Sequence, residues 1–338
     1  MKKRISIAIL SFLLVFLSIW PLFSGGTKEE RNSFTVAVLP DTQLYSQFRP
    51  HIYNAQTQWI ADNKEGIDLV LHVGDIVNRV FDIKQWENAD AAMRILDDAK
   101  VPYTVVTGNH DVDYKAYSQD PQIYHDGLRE NDGNFLTYFP KKRFSSMPTY
   151  GGHSDNGFNQ YHFIDMGSYK VLVLALDWMP SEDTMNWAKK VLRTYRKYPT
   201  IIVKHEFIKP RNLADRPREF VPRFSSEQSQ AQWEEFSRYD QVFMVINGHH
   251  SGSDHGIVRN RQGEDVYLSV VDFQNLKDGG EGWMRTLEFD IGQGTITGKT
   301  FSPFLADPET GEPSRMLDEW NDFTLAFNLQ ERFNGIRK

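Results

Sequence analysis

Short apolar segments alternate with amphipathic segments between residues 34 and 106, and this alternation constrains the fold more than any other feature. Residues 34–39, 68–73 and 103–106 are aliphatic, β-branched runs that predict buried strands. Residues 52–60 and 86–96 carry apolar side chains at helical spacing between them. Since parallel strands need a crossover connection, the alternation predicts an α/β fold with helices packed on a parallel sheet.

The rest of the chain continues the pattern toward more β structure. Further strands are predicted at residues 160–164, 171–176, 201–204, 242–246, 266–271, 286–289 and 295–300. Residues 188–195 predict another helix, and alternating apolar residues over 323–329 predict a late edge strand. Residues 113–158 have weak periodicity and are rich in Gly, Tyr and Phe. We expect them to form an insertion over the functional site rather than a separate domain.

Charge and cysteine content narrow the functional classes. The net charge of −7 weighs against a protein that binds nucleic acid through a general basic surface. The chain has no cysteine, which excludes disulfides, zinc–thiolate sites, a cysteine nucleophile and a lipoprotein anchor. A metal ion would have to be held by His, Asp, Asn and Gln side chains, which suits Mn, Fe, Zn or Mg.

The N-terminus has the layout of a targeting segment. Three basic residues at positions 2–4 precede a mostly apolar run over residues 5–23, and Ser24 and Gly26 offer small residues for cleavage. The run is also long enough to span a bilayer, so residues 1–26 predict either a cleaved signal peptide or a membrane anchor. Residues 27–32 then form a linker and 33–338 the folded domain, which we expect outside the cytoplasm, secreted or anchored.

Polar residues follow the predicted strands at the point where each strand ends. Five groups occur in chain order: Asp41-Thr42-Gln43, Gly74-Asp75-Ile76-Val77-Asn78, Gly108-Asn109-His110-Asp111, His205, and Gly248-His249-His250. Because sites in α/β proteins form at the carboxyl ends of strands, these groups are expected to converge. Their oxygen and nitrogen donors predict a metal site at this edge of the sheet.

The ordered series resembles the calcineurin-like metallophosphoesterase family, whose pattern is D-x-H, G-D-x-x-N/D, G-N-H-D/E, a lone His and G-H-x-H. The resemblance runs from about residue 34 to 301, and its G-N-H-D element, here residues 108–111, is the most specific part. It implies a four-layer αββα sandwich of mixed sheets. It also implies two divalent metal ions and a phosphate-ester substrate, hydrolysed by a hydroxide that the two ions activate.

The resemblance also implies roles for individual residues. Six would be metal ligands: Asp75 between the two ions, Asp41 and Gln43 on the first, and Asn109, His205 and His249 on the second. His110 would donate a proton to the leaving oxygen or stabilise charge, and Asp111 would help to orient it.

Two departures from the family pattern concern the first metal. Gln43 stands where the commonest pattern has a histidine, and an amide oxygen is a weaker ligand. The final motif reads Gly-His-His-Ser, so Ser251 occupies the position of its second histidine. His250 or His255 is a possible replacement ligand, and each is as readily an ordinary histidine.

Three functions stay open at this point. The first is a metal-dependent phosphoesterase acting outside the cytoplasm. The second is a phosphodiesterase or nuclease using the same metals, and the third is a tethered metal-binding module with degraded catalysis. Arg285 is a candidate for binding the substrate phosphate, because guanidinium groups pair well with phosphate oxygens. A salt bridge within the sheet is an equally good explanation of it.

Overall fold

The computed structural model describes residues 31–113, 133–166, 168–216 and 218–337. The predicted signal peptide or anchor, residues 1–26, and the first part of the predicted insertion lie outside the described residues. Within the described ranges, none of the helices combines the length and apolar character needed to cross a membrane.

Strands make up two large sheets and one small one in the described part of the chain. They are, in chain order, β1 (Ser33–Leu39), β2 (Leu69–His72), β3 (Tyr103–Val105), β4 (Tyr150–His153), β5 (Gln160–Asp165), β6 (Lys170–Ala175), β7 (Thr200–Val203), β8 (Ile208–Lys209), β9 (Arg223–Phe224), β10 (Val242–Asn247), β11 (Gly252–Arg259), β12 (Asp265–Asp272), β13 (Met284–Asp290), β14 (Thr295–Ser302), β15 (Ser314–Met316) and β16 (Asp322–Ala326).

Both large sheets mix parallel and antiparallel pairs. The first has the order β15-β14-β13-β1-β2-β3, with β16 also paired to β14. Its β1, β2 and β3 are parallel, whereas β13 runs antiparallel to β1. The second has the order β11-β12-β10-β7-β6-β5-β4, and its β6, β7, β10 and β12 are parallel. Strands β8 and β9 pair only with each other.

The helices lie between and after these strands. Their bounds are α1 (Gln43–Phe48), α2 (Pro50–Asp62), α3 (Ile83–Ala99), α4 (Gly133–Tyr138), α5 (Lys141–Phe144), α6 (Glu182–Thr194), α7 (Glu227–Phe236) and α8 (Leu329–Arg337), with short 3-10 turns at Lys64–Gly66 and Leu213–Asp215 and a helical turn at Lys277–Gly280. Caps fix some of the starts: the Asp82 carboxylate accepts a hydrogen bond from Lys84 N at 3.1 Å, and Ser181 Oγ accepts one from Thr184 N.

The two sheets pack face to face, and helices cover the outer face of each sheet, which gives four layers with an apolar cluster between each neighbouring pair. Val36 and Val38 of β1 and Val173 of β6 are buried in one cluster between the two sheets. Ala37 of β1 points to the other face, where it belongs to the cluster formed with α2 and α3. A third cluster joins the outer face of the second sheet to α6 and α7. Because both faces of these strands are covered, their sequences are continuous apolar runs rather than alternating ones. The predicted mixed α/β architecture with packed helices is confirmed.

The described part of the predicted insertion, residues 133–158, is packed against the body of the domain. Phe135, Phe139 and Phe144 are buried in the cluster beneath α3, and each such ring stabilises the fold by about 1.5–3 kcal/mol. Strand β4 extends the second sheet at its edge. This segment therefore contributes aromatic side chains to the core of the domain.

One predicted strand is shorter than expected. The alternation over residues 323–329 continues past the end of β16, but Leu329 begins α8 and is buried between the sheets. Alternating apolar residues are expected whether the strand continues or gives way to a helix that buries the same side chains, so the sequence pattern does not show where the strand ends.

Candidate metal centre

Six loops converge where parallel strands of both sheets end. The first sheet contributes the loops after β1, β2 and β3, and the second contributes those after β7, β10 and β12. Together they carry Asp41, Gln43, Asp75, Asn109, His110, His205, His249 and Asp272. The polar groups therefore lie together, as predicted, at one edge where the two sheets meet.

The tightest part of the cluster surrounds His205. Donor atoms of Asp75, His205 and His249 all lie within 4.8 Å of one another. His205 Nε2 lies 3.1 Å from Asn109 Oδ1, 3.1 Å from His249 Nδ1 and 3.3 Å from Asp75 Oδ1. We call Asn109, His205 and His249 the histidine side of the site.

The chemistry of the histidine side suits a transition metal. His205 Nδ1 lies 2.9 Å from Val73 O, so Nδ1 carries the proton and Nε2 presents a lone pair to the cluster. Burial, followed by the neighbouring His249, lowers the pKa of His205, and burial lowers that of His249. Neutral imidazole is the form that binds a metal ion.

The other part of the cluster is built from oxygen donors. We call Asp41, Gln43 and Asp272 the carboxylate side. Asp41 is 2% exposed, and its carboxylate accepts a hydrogen bond from His249 N at 3.1 Å. Gln43 Nε2 donates to Asp75 Oδ2 at 3.0 Å and contacts Gln274 Oε1.

The carboxylate side also fits a divalent ion. Burial, then the charges of Asp272 and Asp75, raises the pKa of Asp41 well above its usual range. Buried carboxylates that repel one another are stabilised when a cation is placed between them. Gln43 Oε1 is buried with no hydrogen-bond partner among the described residues, which leaves an amide oxygen available as a ligand. The residues present therefore fit divalent metal ions on both sides of the site.

The backbone is strained at two of the candidate ligands, and this strain sets the direction of their side chains. Asp75 and His249 adopt left-handed conformations, with φ of 51° and 69°, which cost non-glycine residues about 1–3 kcal/mol and cluster at functional sites. A Cβ at Gly108 would lie 2.0 Å from Asp75 Oδ1, and one at Gly248 would lie 2.2 Å from Asp41 Oδ1. These two glycines are required because the carboxylates sit directly against the backbone.

His110 lies beside the cluster and borders an open cleft. Its backbone N–H donates to Asp75 Oδ1 at 3.0 Å, and its Nδ1 lies 3.0 Å from Asn78 O. The ring therefore holds its Nδ1 proton toward a carbonyl, and Nε2 is the nitrogen that can exchange a proton. The cleft has a volume of about 860 Å³, and its described lining includes Arg79 and Phe81.

Asp111 shapes the loops rather than the His110 ring. Its buried carboxylate accepts hydrogen bonds from Ile76 N at 2.9 Å, Val77 N at 2.9 Å and Gly108 N at 2.7 Å. Its contribution to the site is thus to lock the loops that carry Asp75 and His110, which differs from the expected direct orientation of the ring.

His250 and Ser251 lie close to the site but in different settings. The His250 ring centroid is 4.5 Å from that of His249, and donor atoms of Glu206, His249 and His250 lie within 4.8 Å of one another. His250 therefore borders the histidine side. Ser251 is exposed, and its hydroxyl lies 3.4 Å from Asp272 Oδ2.

The remaining two candidates lie away from the ligands. His255 is 6% exposed and packs against Phe323 with ring centroids 3.8 Å apart, and burial lowers its pKa to about 3. Arg285 is fully buried and donates to Thr300 Oγ1, Trp320 O and Asn321 Oδ1. A guanidinium without exposed surface cannot meet a phosphate from solvent, so this geometry favours the structural explanation of Arg285.

Three residues of the site region had no predicted role. Asp272 ends β12 and Gln274 follows it on the carboxylate side, and Glu206 follows His205 next to His249 and His250. The signal for Asp272 was available, because it ends an apolar run just as Asp41 follows one. It was missed because no glycine or histidine marks the turn as part of a motif.

Comparisons with known proteins place the chain in a family. Residues 34–275 match the model of the calcineurin-like phosphoesterases. The chain is 28% identical over 319 residues to the uncharacterised protein YvnB of Bacillus subtilis (strain 168), covering 90% of this chain and 22% of that protein. It is 37% identical over 70 residues to the probable inactive purple acid phosphatase 27 of Arabidopsis thaliana, covering 21% of this chain and 11% of that protein. This chain thus spans at most 22% of the length of these relatives.

Solved structures share the fold at low sequence identity. The purple acid phosphatase PPD1 from yellow lupin seeds superposes with a TM-score of 0.54 at 17% identity, covering 89% of this chain and 55% of that one. A dimetal phosphatase from Danio rerio gives a TM-score of 0.52 at 12% identity, covering 87% and 99%. Because the family model covers well over half of the 338 residues and the two-sheet fold agrees with it, the chain belongs to the calcineurin-like phosphoesterase family.

Proposed function

We propose that this chain hydrolyses phosphate esters with the help of two divalent metal ions. The observation that carries the proposal is the group of Asp75, His205 and His249 donor atoms within 4.8 Å, with Asn109 and His110 beside it. An ordinary structural cluster would not need two histidines kept neutral by burial against a fully buried carboxylate.

Asp75 would hold both ions, Asn109, His205 and His249 the second, and Asp41 and Gln43 the first. When bound, two such ions lower the pKa of a water molecule and offset the charge of the phosphoryl oxygens. The contribution of the chain is to fix the ligands before the ions arrive. Asp111, Gly108 and the left-handed backbone at Asp75 do this through the contacts described above.

His110 would donate the proton that the leaving oxygen requires. Its Nδ1 contact with Asn78 O fixes the ring, which leaves Nε2 to carry the transferred proton. The residue lines the cleft in which a substrate would lie. Within that cleft, the exposed Arg79 offers positive charge for a phosphate, and Phe81, 66% exposed, offers an apolar surface for an organic group.

Two chromogenic esters test this proposal. The full chain, freed of metal with EDTA and then supplied with Mn²⁺, should turn over p-nitrophenyl phosphate or bis-p-nitrophenyl phosphate, and EDTA should stop the reaction. Faster turnover of the diester would favour the phosphodiesterase or nuclease alternative. Two bound ions without turnover of either ester would contradict hydrolysis and favour a metal-binding module.

We also propose that the domain acts outside the cytoplasm. The support is the basic and apolar N-terminal sequence, residues 1–26, together with the absence of cysteine from all 338 residues. A reporter that is active only after export, fused to the C-terminus, should be active in cells. Activity of the complementary reporter, one that works only in the cytoplasm, would overturn the proposal.

A further inference from the structure

We propose that Asp272 is the missing ligand of the first metal ion, replacing the histidine whose position Ser251 occupies. The first ion would then be held only by oxygen atoms, from Asp41, Gln43, Asp75 and Asp272. This inference rests on the proposed metal-dependent function, and it concerns a residue outside the family's motifs.

Asp272 lies next to Ser251, the residue at the position of the family's second histidine. It is the last residue of β12 and pairs with Gly252 at the start of β11. The Ser251 hydroxyl donates a hydrogen bond to Asp272 Oδ2 at 3.4 Å. A carboxylate oxygen therefore lies within hydrogen-bond distance of the side chain that stands in place of the histidine.

A chain of contacts connects Asp272 to the shared ligand. Gln274 donates to Asp272 through its backbone N at 2.8 Å and through its Nε2 at 3.0 Å. Gln274 Oε1 in turn contacts the Gln43 amide, which lies 3.0 Å from Asp75 Oδ2. Because the oxygen and nitrogen of an amide are interchangeable by a half-turn, Gln43 can present Oε1 at the same place. Asp272, Gln274, Gln43 and Asp75 are therefore linked in one network of polar contacts.

The charge of Asp272 is unbalanced by its described partners. It is fully buried, and those partners are an amide, a backbone N–H and a hydroxyl. Asp41 and Asp75 are buried as well, 2% and 1% exposed. Burying three carboxylates within mutual influence is costly unless a cation is bound between them, so a divalent ion is the partner that this arrangement fits.

The carboxylates are arranged more loosely than the histidine side. Asp41, Asp75 and Asp272 do not form a group with all donor atoms within 4.8 Å, as Asp75, His205 and His249 do. One ion with oxygen ligands at about 2.1–2.5 Å would require closer approach. Binding of an ion would therefore require these carboxylates to move closer together.

Oxygen-only ligation has a consequence for the choice of metal. Oxygen donors suit Mn²⁺, Mg²⁺ or Ca²⁺, whereas imidazole donors suit Zn²⁺ or Fe²⁺. We infer that the two positions take different metals: a hard cation on the carboxylate side and a transition metal on the histidine side.

Metal counting tests the assignment independently of activity. The full chain is stripped of metal, given one equivalent of Zn²⁺ and an excess of Mn²⁺, and analysed by mass spectrometry of its bound elements. The wild type should retain one zinc and one manganese. Asp272→Ala should retain the zinc and lose the manganese, and Ser251→His combined with Asp272→Ala should regain a second ion. Asp265→Ala, the same change at the opposite end of β12, should retain both.

The outcomes separate this inference from the proposed function. Two ions in Asp272→Ala, in the wild-type ratio, would overturn the role of Asp272 and leave the two-metal function intact. No bound ion in the wild type would overturn both. If Asp272→Ala does not fold by circular dichroism, Asp272→Asn supplies the reading, because it keeps the volume but not the charge, and it should also lose manganese.

Discussion

The histidine side and the carboxylate side of the site share Asp75 but differ in how they are assembled. The donor atoms of His205 and His249 lie within 4.8 Å of each other and of that of Asp75, and a backbone carbonyl fixes the proton position of His205. On the carboxylate side, charged and amide oxygens are linked through Gln274 and are spread more widely. The comparison teaches that neutral ligands can be packed closely in advance, whereas like charges cannot, so the two halves should differ in affinity and in metal preference.

The largest expected effect comes from the residue that both sides share. Asp75→Asn removes the anionic bridge, so both ions should bind poorly and turnover should fall to background, a loss greater than about 10⁴-fold. Equilibrium dialysis would measure both occupancies, with Asp265→Asn as the matched control. Loss of one ion only would show that Asp75 belongs to one side.

The next effect concerns a residue that should belong to neither side. His110→Ala should lower turnover by about 10²–10⁴-fold, the usual contribution of a general acid, and leave the content of both metals unchanged. Activity and metal analysis on the same preparation check this. A fall in either metal would mean that His110 is a ligand and that the division into two sides omits it.

A nitrogen donor on the carboxylate side should reduce the difference between the halves. Gln43→His restores the commonest family residue at a position next to Asp75, and zinc affinity for the first position should rise by about tenfold or more. Titration of the zinc-free chain with a fluorescent zinc indicator would measure both steps. Unchanged affinity would indicate that Gln43 does not contact the first ion.

The smallest effect should come from His255, which lies outside both sides. Its pKa in the folded chain is about 3, below the ordinary 6.5, so the unfolded chain binds more protons between these values. The free energy of unfolding should therefore decrease as the pH falls from about 6.5 toward 3. His255→Phe should flatten this slope by up to about 1.4 kcal/mol per pH unit, measured by urea unfolding at pH 6, 5 and 4. A changed metal content in this variant would place His255 at the site after all.

Sequence reasoning predicted the architecture from a simple physical rule. Runs such as residues 34–39 and 171–176 are apolar on both faces because helices or the other sheet cover each face, so strands and crossovers were visible without structural information. The polar groups after those strands were visible for the same reason. Gly74 is consistent with the left-handed backbone conformation of Asp75, because a glycine allows the chain to turn sharply before a ligand.

What sequence did not reveal depends on long-range packing. Arg285 and His255 are polar residues in β strands, and only the structure shows that one is enclosed by Thr300 and Asn321 and the other by aromatic rings. Residues 133–158 lack a period because they fill a core already shaped by α3. Asp272 was missed as a candidate ligand because only the structure shows that it lies next to Ser251, where the family pattern has a histidine.

The placement of the ligands on both sheets gives bound metal a mechanical role. Hydrogen bonds cross the seam between the sheets, among them the one from His249 N to Asp41 and the one between His205 Nδ1 and Val73 O. Ions held by Asp75 from one sheet and by His205 or Asp272 from the other would add links across this seam. They would restrain movement of the two sheets relative to each other at this edge. Catalytic competence and the rigidity of this edge should consequently rise and fall together, and slower amide hydrogen exchange at the ends of β2 and β10 would report this restraint.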